Sequence, residues 1–214
     1  RDPAMWRRPC PAGERAATVG RMAIIYRAEL SPSKPEILRD FLSGRSWGER
    51  GELELLGAYR FDDPEGEVGV ECPLVQVGAM IYHLPLAYRP GPVPGADEHL
   101  LTTLQHSVLG ERYVYDGLGD EVALDCFRRA LSGEQSQAEL RIHADDGELV
   151  ETLEQTVALD LEVDEGGRPP SGAELLDGAP FTIARTLGDL DGTVRLRARW
   201  AGGEGVVAAF SPSE

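Results

Sequence analysis

Four histidines, three cysteines and 37 acidic residues are the side chains with which this 214-residue chain could do acid–base, nucleophilic or metal chemistry. His83, His99, His106 and His143 show no metal-ligand spacing with one another or with a cysteine, and neither an HEXXH nor a CXXC motif occurs. A G-x-S-x-G nucleophile elbow is missing. Cys72 and Cys126 fall on apolar faces without His or Asn context, so they read as small buried hydrophobes. Acidic pairs at Asp62-Asp63, Asp97-Glu98, Asp120-Glu121 and Asp145-Asp146 stand at turns, where Asp accepts local backbone hydrogen bonds. They single out no glycosidase-type carboxylate pair. RIHADDG (141–147) faintly resembles a kinase H-x-D loop but lacks the following Asn, and GGEG (202–205) opens no helix. Both read as turns, and no catalytic residue, metal site or cofactor is expected.

One cluster stands out instead. Trp47, Tyr88, Arg89, His106, Arg112, Tyr113, Tyr115 and Asp116 concentrate in the middle third, with Tyr59 and Tyr82 beside them. Tyr, Trp and Arg anchor interfaces and form carbohydrate platforms, so these eight are the candidate ligand- or partner-binding residues. The competing reading is ordinary strand residues with β-favouring side chains.

Charge narrows the partner. With 21 Lys+Arg against 37 Asp+Glu the net charge is −16. Residues 1–21 hold five Arg against Asp2 and Glu14, so positions 22–214 carry 16 basic and 35 acidic residues, or −19. Such a surface repels phosphate backbones and anionic lipid, which excludes nucleic acid and bare membrane and favours a basic patch on a protein partner. No apolar run approaches the ~20 residues of a membrane span. Three widely spaced cysteines point to a reducing, cytoplasmic location, and no signal-peptide pattern is visible. Residues 1–21 are expected to be a vector-derived, unstructured extension ahead of Met22, with 22–214 the folded domain.

The elements that must position these residues are mostly strands. MAIIYRAEL (22–30) alternates like one, and SPSKPEILRDFL then reads as a helix with Ser33 as N-cap, Glu36 completing a capping box and Ile37, Leu38, Phe41 and Leu42 on one face. Strands are expected over 53–61, 67–77 and 79–89, with a tight hairpin at Val77-Gly78-Ala79, and an antiparallel pair over 99–110 and 112–117. A second helix spans 119–134, its buried stripe being Val122, Ala123, Cys126, Phe127 and Leu131. Strands follow at 138–144, 149–163, 181–187, 193–200 and 205–210, the last two forming a hairpin. The Gly/Pro loop 163–174 is a possible subdomain seam. Connections too short for βαβ crossovers give an α+β class: a mainly antiparallel, curved β-sheet with two principal helices.

Several multi-residue segments together carry a family resemblance: YRAELSPSKPEILRDFL (26–42), GAYRFDDPEGEVGVE (57–71), YHLPLAYR (82–89), PGADEHL (94–100) and HSVLGERYVYDGLGD (106–120). Over about residues 22–135 the chain resembles the N-terminal cap domain of actinobacterial maltokinases. More closely, it looks like stand-alone actinobacterial proteins built of that cap-like domain, some labelled glucan-branching proteins. The resemblance implies a cystatin-like element in the N-terminal half and a cap without catalytic residues. The two kinase lobes have no counterpart in this sequence. It therefore implies a non-catalytic binding or regulatory module near trehalose, maltose-phosphate or glycogen metabolism. Its expected partner is a sugar kinase or related enzyme, and a homodimer is a further expectation. The alternatives are a carbohydrate- or metabolite-binding domain using the Tyr/Arg cluster and a small enzyme with an unrecognised carboxylate site.

Overall fold

EVGVECPLVQV puts apolar residues on both faces of a strand, a pattern that suits a strand covered on both sides. The computed structural model describes residues 24–25, 30–143, 149–176, 178 and 180–212. The expected extension 1–21, most of the 22–30 strand and the Asp145-Asp146 turn lie outside them. Strands β1 (Ile24–Ile25) and β2 (Leu30–Ser31) precede helix α1 (Lys34–Ser43). Then come β3 (Leu53–Asp62), β4 (Gly69–Val77), β5 (Met80–His83), β6 (Leu86–Arg89), β7 (Leu100–His106), β8 (Gly110–Asp116) and helix α2 (Glu121–Leu131). After β9 (Arg141–His143), β10 (Leu149–Thr152) and β11 (Val157–Val163) stand the short helix α3 (Gly172–Leu176), β12 (Phe181–Ile183), β13 (Val194–Trp200) and β14 (Gly203–Phe210).

Local chemistry sets the helix starts. The backbone N–H and hydroxyl of Ser33 both donate to the Glu36 carboxylate, at 2.8 and 2.6 Å, and Ile37, Leu38, Phe41 and Leu42 are buried as the spacing predicts. Asp120 starts α2 by accepting from the N–H groups of Val122 and Ala123 at 3.0 and 3.1 Å. In its stripe Ala130 is buried, whereas Val122 is only half-buried. Helix α3 interrupts what reads as loop, and its start repeats the Ser33 device: the Ser171 N–H and hydroxyl donate to Glu174. Ser-Gly-Ala-Glu was thus a legible capping box inside a Gly/Pro-rich stretch.

Among the described residues three sheets form, of seven, four and three strands. The largest has the order β2-β7-β8-β6-β4-β3, with β5 also on β4, all antiparallel. Its segment 79–89 is two strands, not the single one expected, because Pro85 has no N–H for a ladder. Leu84 N–H turns instead to Pro73 C=O, and Pro85 C=O accepts from Gly117 N–H. Strand β4 consequently pairs β5 through its second half and β6 through its first, which lets the sheet curve. Gly78 supplies a φ of +59° at the first position of the two-residue β4–β5 turn, the conformation a type II′ turn requires. The expected strand 149–163 also divides, since Thr156 leaves the ladder to tie its side chain to Ala58. The four-stranded sheet runs β11-β13-β14-β12, and its β13–β14 hairpin falls where the sequence puts it.

Both faces of the large sheet are covered. On one, α1 packs Ile37, Leu38, Phe41 and Leu42 against Val75, Leu84, Leu86, Leu104 and Val114. On the other, Tyr59, Phe61, Val70, Cys72 and Leu74 meet α2 and the inner face of the four-stranded sheet in a single larger core. Phe127 of α2 sits at its centre, edge-on to Phe61 at 5.3 Å and to the His83 ring at 5.9 Å between centroids. Phe127→Ala is expected to lower unfolding free energy by about 3–5 kcal/mol in urea titrations. Leu176→Ala, at a residue 67% exposed on α3, should stay within about 0.5 kcal/mol.

Candidate functional site

Asp116 ends β8 where the chain tightens into a 3-10 turn, and its carboxylate accepts from Leu118 N–H at 3.0 Å. Arg185 approaches from the far end of the chain and places Nη2 2.5 Å from both Asp116 oxygens. Its guanidinium also lies 5.4 Å from the Phe41 ring centroid and 5.3 Å from that of Trp47. Arg45 stacks on Phe41 at 5.3 Å and reaches Asp116 only at 3.8 Å, too long for a hydrogen bond. Sequence reasoning found Trp47 and Asp116 but missed Arg45 and Arg185. An Arg 69 positions away gives no local signal of its target.

Arg89 and Tyr115 serve the opposite face. Arg89 forms a two-pronged pair with Asp120, Nε to Oδ2 at 2.5 Å and Nη2 to Oδ1 at 3.0 Å, so one carboxylate both caps α2 and ties it to β6. The Tyr115 hydroxyl accepts from Val93 N–H at 2.9 Å and holds the Pro-rich loop down. Tyr88 donates to Glu71 at 3.2 Å, and Lys34 reaches the other Glu71 oxygen at 2.7 Å. Burial pushes the Glu71 carboxyl up, but Lys34 and Arg60 outweigh it and hold the group below the usual carboxylate range. His106, Arg112 and Tyr113 belong to the β7–β8 hairpin: His106 Nδ1 accepts from the Val108 and Leu109 N–H groups, and Tyr113 donates to Glu111.

The eight candidates therefore divide among at least three places. Among the described residues, one surface cleft of about 320 Å³ lies between α1 and β7, lined by Ile37, Asp40, Phe41, Gly44, Arg45 and Leu101 among others, and another of about 700 Å³ lies around residues 49–54 and 76–78. None of the eight lines either cleft.

A fully buried polar relay escaped the sequence reading. His83 Nδ1–H donates to Ala184 C=O at 2.9 Å; a carbonyl only accepts, so Nε2 must accept the Tyr59 hydroxyl at 2.8 Å. Burial depresses the His83 pKa to about 4. The same desolvation raises the thiols, Cys126 to about 12 and Cys72 well up, so neither is a ready nucleophile. Among the described residues no group of three or more His, Cys, Asp and Glu is placed to hold a metal ion, and no helix is long and apolar enough to cross a membrane.

The sheet that carries these side chains is also where similarity to a known family lies. Residues 41–120 match the model of the maltokinase N-terminal cap domain. The match supports the resemblance seen in the sequence and takes in β3 to β8, six of the seven strands of the large sheet. It stops at Asp120, the N-cap of α2, so the helix and four-stranded sheet that cover the inner face fall outside it. No curated protein and no solved structure matches the chain.

Two measurements test the polar joints. A neutral His83 with a folded pKa near 4, against 6.5 unfolded, stabilises fully above pH 6.5 and loses that contribution as pH falls toward 4. The difference in unfolding free energy between the native chain and His83→Phe should therefore shrink from pH 7.5 to pH 4, by about 3 kcal/mol. Asp116→Ala, which strands the Arg185 guanidinium, is expected to cost about 2 kcal/mol in urea at pH 7.

Proposed function

We propose that this chain is a non-catalytic, cap-like binding or regulatory module that works in the cytoplasm by contact with a sugar kinase or a related enzyme of trehalose, maltose-phosphate or glycogen metabolism. The match of residues 41–120 to a maltokinase cap domain carries the reading. The packing supports it in a specific way. Both faces of the matched sheet are already covered by α1, α2 and the four-stranded sheet, so a partner meets loops, strand edges or outer helix faces rather than the sheet itself. The buried ionisable groups support it too. His83, Asp116 and Asp120 hold elements together, and Cys72 and Cys126 are held as thiols.

Net charge sets the character of the contact. A surface of −16 favours a partner with a basic face, and screening should weaken such a complex. Titration calorimetry of the chain against a maltokinase truncated to its two catalytic lobes should give saturable binding at low salt that weakens several-fold between about 50 and 300 mM NaCl. Absence of binding at both salt concentrations to that kinase and to the trehalose and glycogen enzymes would sink the proposal. Injections of maltose, trehalose and glycogen in the same instrument separate it from sugar binding, for which heat that vanishes in Tyr113→Ala would be the signature.

A further inference from the structure

Strand β11 pairs with β13 through all seven of its residues, from Val157↔Trp200 to Val163↔Val194, without a shift of register. It is also the last strand of the four-stranded sheet, so one side of its backbone faces no strand of that sheet. Which groups lie there follows from Leu159, whose N–H points away from β13 and donates to Gln137 Oε1 at 2.5 Å. Backbone groups alternate along a strand, so Leu161 and Val163 also direct their N–H and C=O groups outward.

Among the described residues, the chain closes only the first half of this edge. Gln137 acts as a one-residue surrogate strand, its Nε2 donating to Val157 C=O at 2.9 Å while its Oε1 takes Leu159 N–H. Thr156 ties the strand entry to Ala58. From Leu161 to Val163 no such cover exists among the described residues. The other edges of the two larger sheets are treated differently. Strand β3 is irregular at Gly57, and its outer carbonyls at Arg60 and Asp62 accept from Ala138 N–H and Gln135 Nε2. Strand β5 bonds to residues 185–187, while β2 and β12 are only two and three residues long. Charged side chains, above all Lys, Pro and bulges are usual protections of an open edge. Strand β11, Val-Ala-Leu-Asp-Leu-Glu-Val, has no Lys, Pro or bulge, and its two charges, Asp160 and Glu162, are paired with arginines of β13.

Its side chains suit one occupant. Leu159, Leu161 and Val163 share a face, and Leu161 and Val163 remain 37% and 36% exposed. On the other face Asp160 pairs with Arg199, and Glu162 with Arg197 and Arg199, so the carboxylates of the strip are already compensated. We propose that the open half of β11 pairs with the same strand of a second copy of this chain, antiparallel about a two-fold axis at Leu161. Leu161 then exchanges both backbone bonds with the partner subunit's Leu161. Val163 N–H reaches the C=O of the partner subunit's Leu159, the group left over when Gln137 takes that residue's N–H. Apolar side chains meet apolar ones, and although Asp160 comes to stand opposite Glu162 of the partner subunit, each carboxylate brings its own arginine.

Sedimentation equilibrium of the full chain alone tests this, and its outcome is independent of any kinase docking. The weight-average mass should rise from 23.2 kDa toward twice that value between about 1 and 100 µM. Leu161→Lys and Leu161→Pro should both return it to the single-chain mass. Proline is informative because Leu161 N–H takes no part in the β13 ladder, so the fold loses no hydrogen bond; an unchanged urea midpoint checks that. Leu161→Cys in a Cys10→Ser background should give a disulfide-linked dimer on non-reducing gels after mild oxidation, a readout that survives if the other two variants fail to fold. A single-chain mass at every concentration would overturn the proposal. So would a dimer that persists in folded Leu161→Lys, or a Leu161→Cys chain that does not cross-link.

Discussion

The contact between residues 184–187 and the outer edge of β5 is the joint on which the rest of the molecule depends. Leu187 N–H donates to Ile81 C=O at 2.8 Å, His83 N–H donates to Arg185 C=O at 2.9 Å, and the His83 ring bonds Ala184 C=O. These bonds continue the large sheet into the segment that leads from β12. Thr156 makes the corresponding tie at the opposite edge, to Ala58 on β3. Held at both edges, the two sheets enclose α2, and the aromatic core around Phe61, Phe127 and Tyr59 is completed from both sides. A buried ionised imidazole there would lack solvation, so the joint works with neutral His83 in one tautomer, set by a carbonyl that can only accept.

Polar side chains are used the same way elsewhere. Asp116, Asp120 and Glu71 each accept from two or more groups that come from different elements, and each is almost fully buried. An arginine fork on a carboxylate fixes direction as well as distance, so these pairs orient elements that apolar packing alone would leave free to slide. The Tyr/Arg-rich middle third therefore owes much of its composition to the tying of loops and helices onto a curved sheet. Its exposed remainder is chiefly Trp47 and the tip of the β7–β8 hairpin, Val108 and Leu109.

Legibility in the sequence followed the range of the interaction involved. Ser33 and Glu36, or Val77-Gly78-Ala79, act within four residues, and the helix start and the hairpin could be read directly. The Ser171–Glu174 box was equally local but lay inside a Pro- and Gly-rich stretch that read as loop. Pro85 stands in a stretch of strand-forming residues, and the division of that stretch into β5 and β6 depends on Pro73 and Gly117, which take up the backbone groups on either side of it. Among the candidate residues, Arg89 and Asp116 are engaged by partners 31 and 69 positions away. Proximity in sequence therefore gathered into one list residues that the sheet distributes over its two faces, a consequence of the two-residue period of a strand.

By itself the sequence determined the α+β class, the two main helices with their buried stripes, most strands, the acidic surface and the resemblance to a maltokinase cap. The first four rest on periodicity, capping and composition and the resemblance on multi-residue motifs, all of them properties of short stretches of chain. Only the tertiary structure decided that the large sheet is covered on both faces, that His83 is a buried neutral joint and that Arg185 meets Asp116. Among the described residues, it alone left half of β11 open. Those outcomes depend on which strand edges meet after 70 to 100 intervening residues have been folded, and loop closure over such distances is fixed by global packing rather than by any local preference.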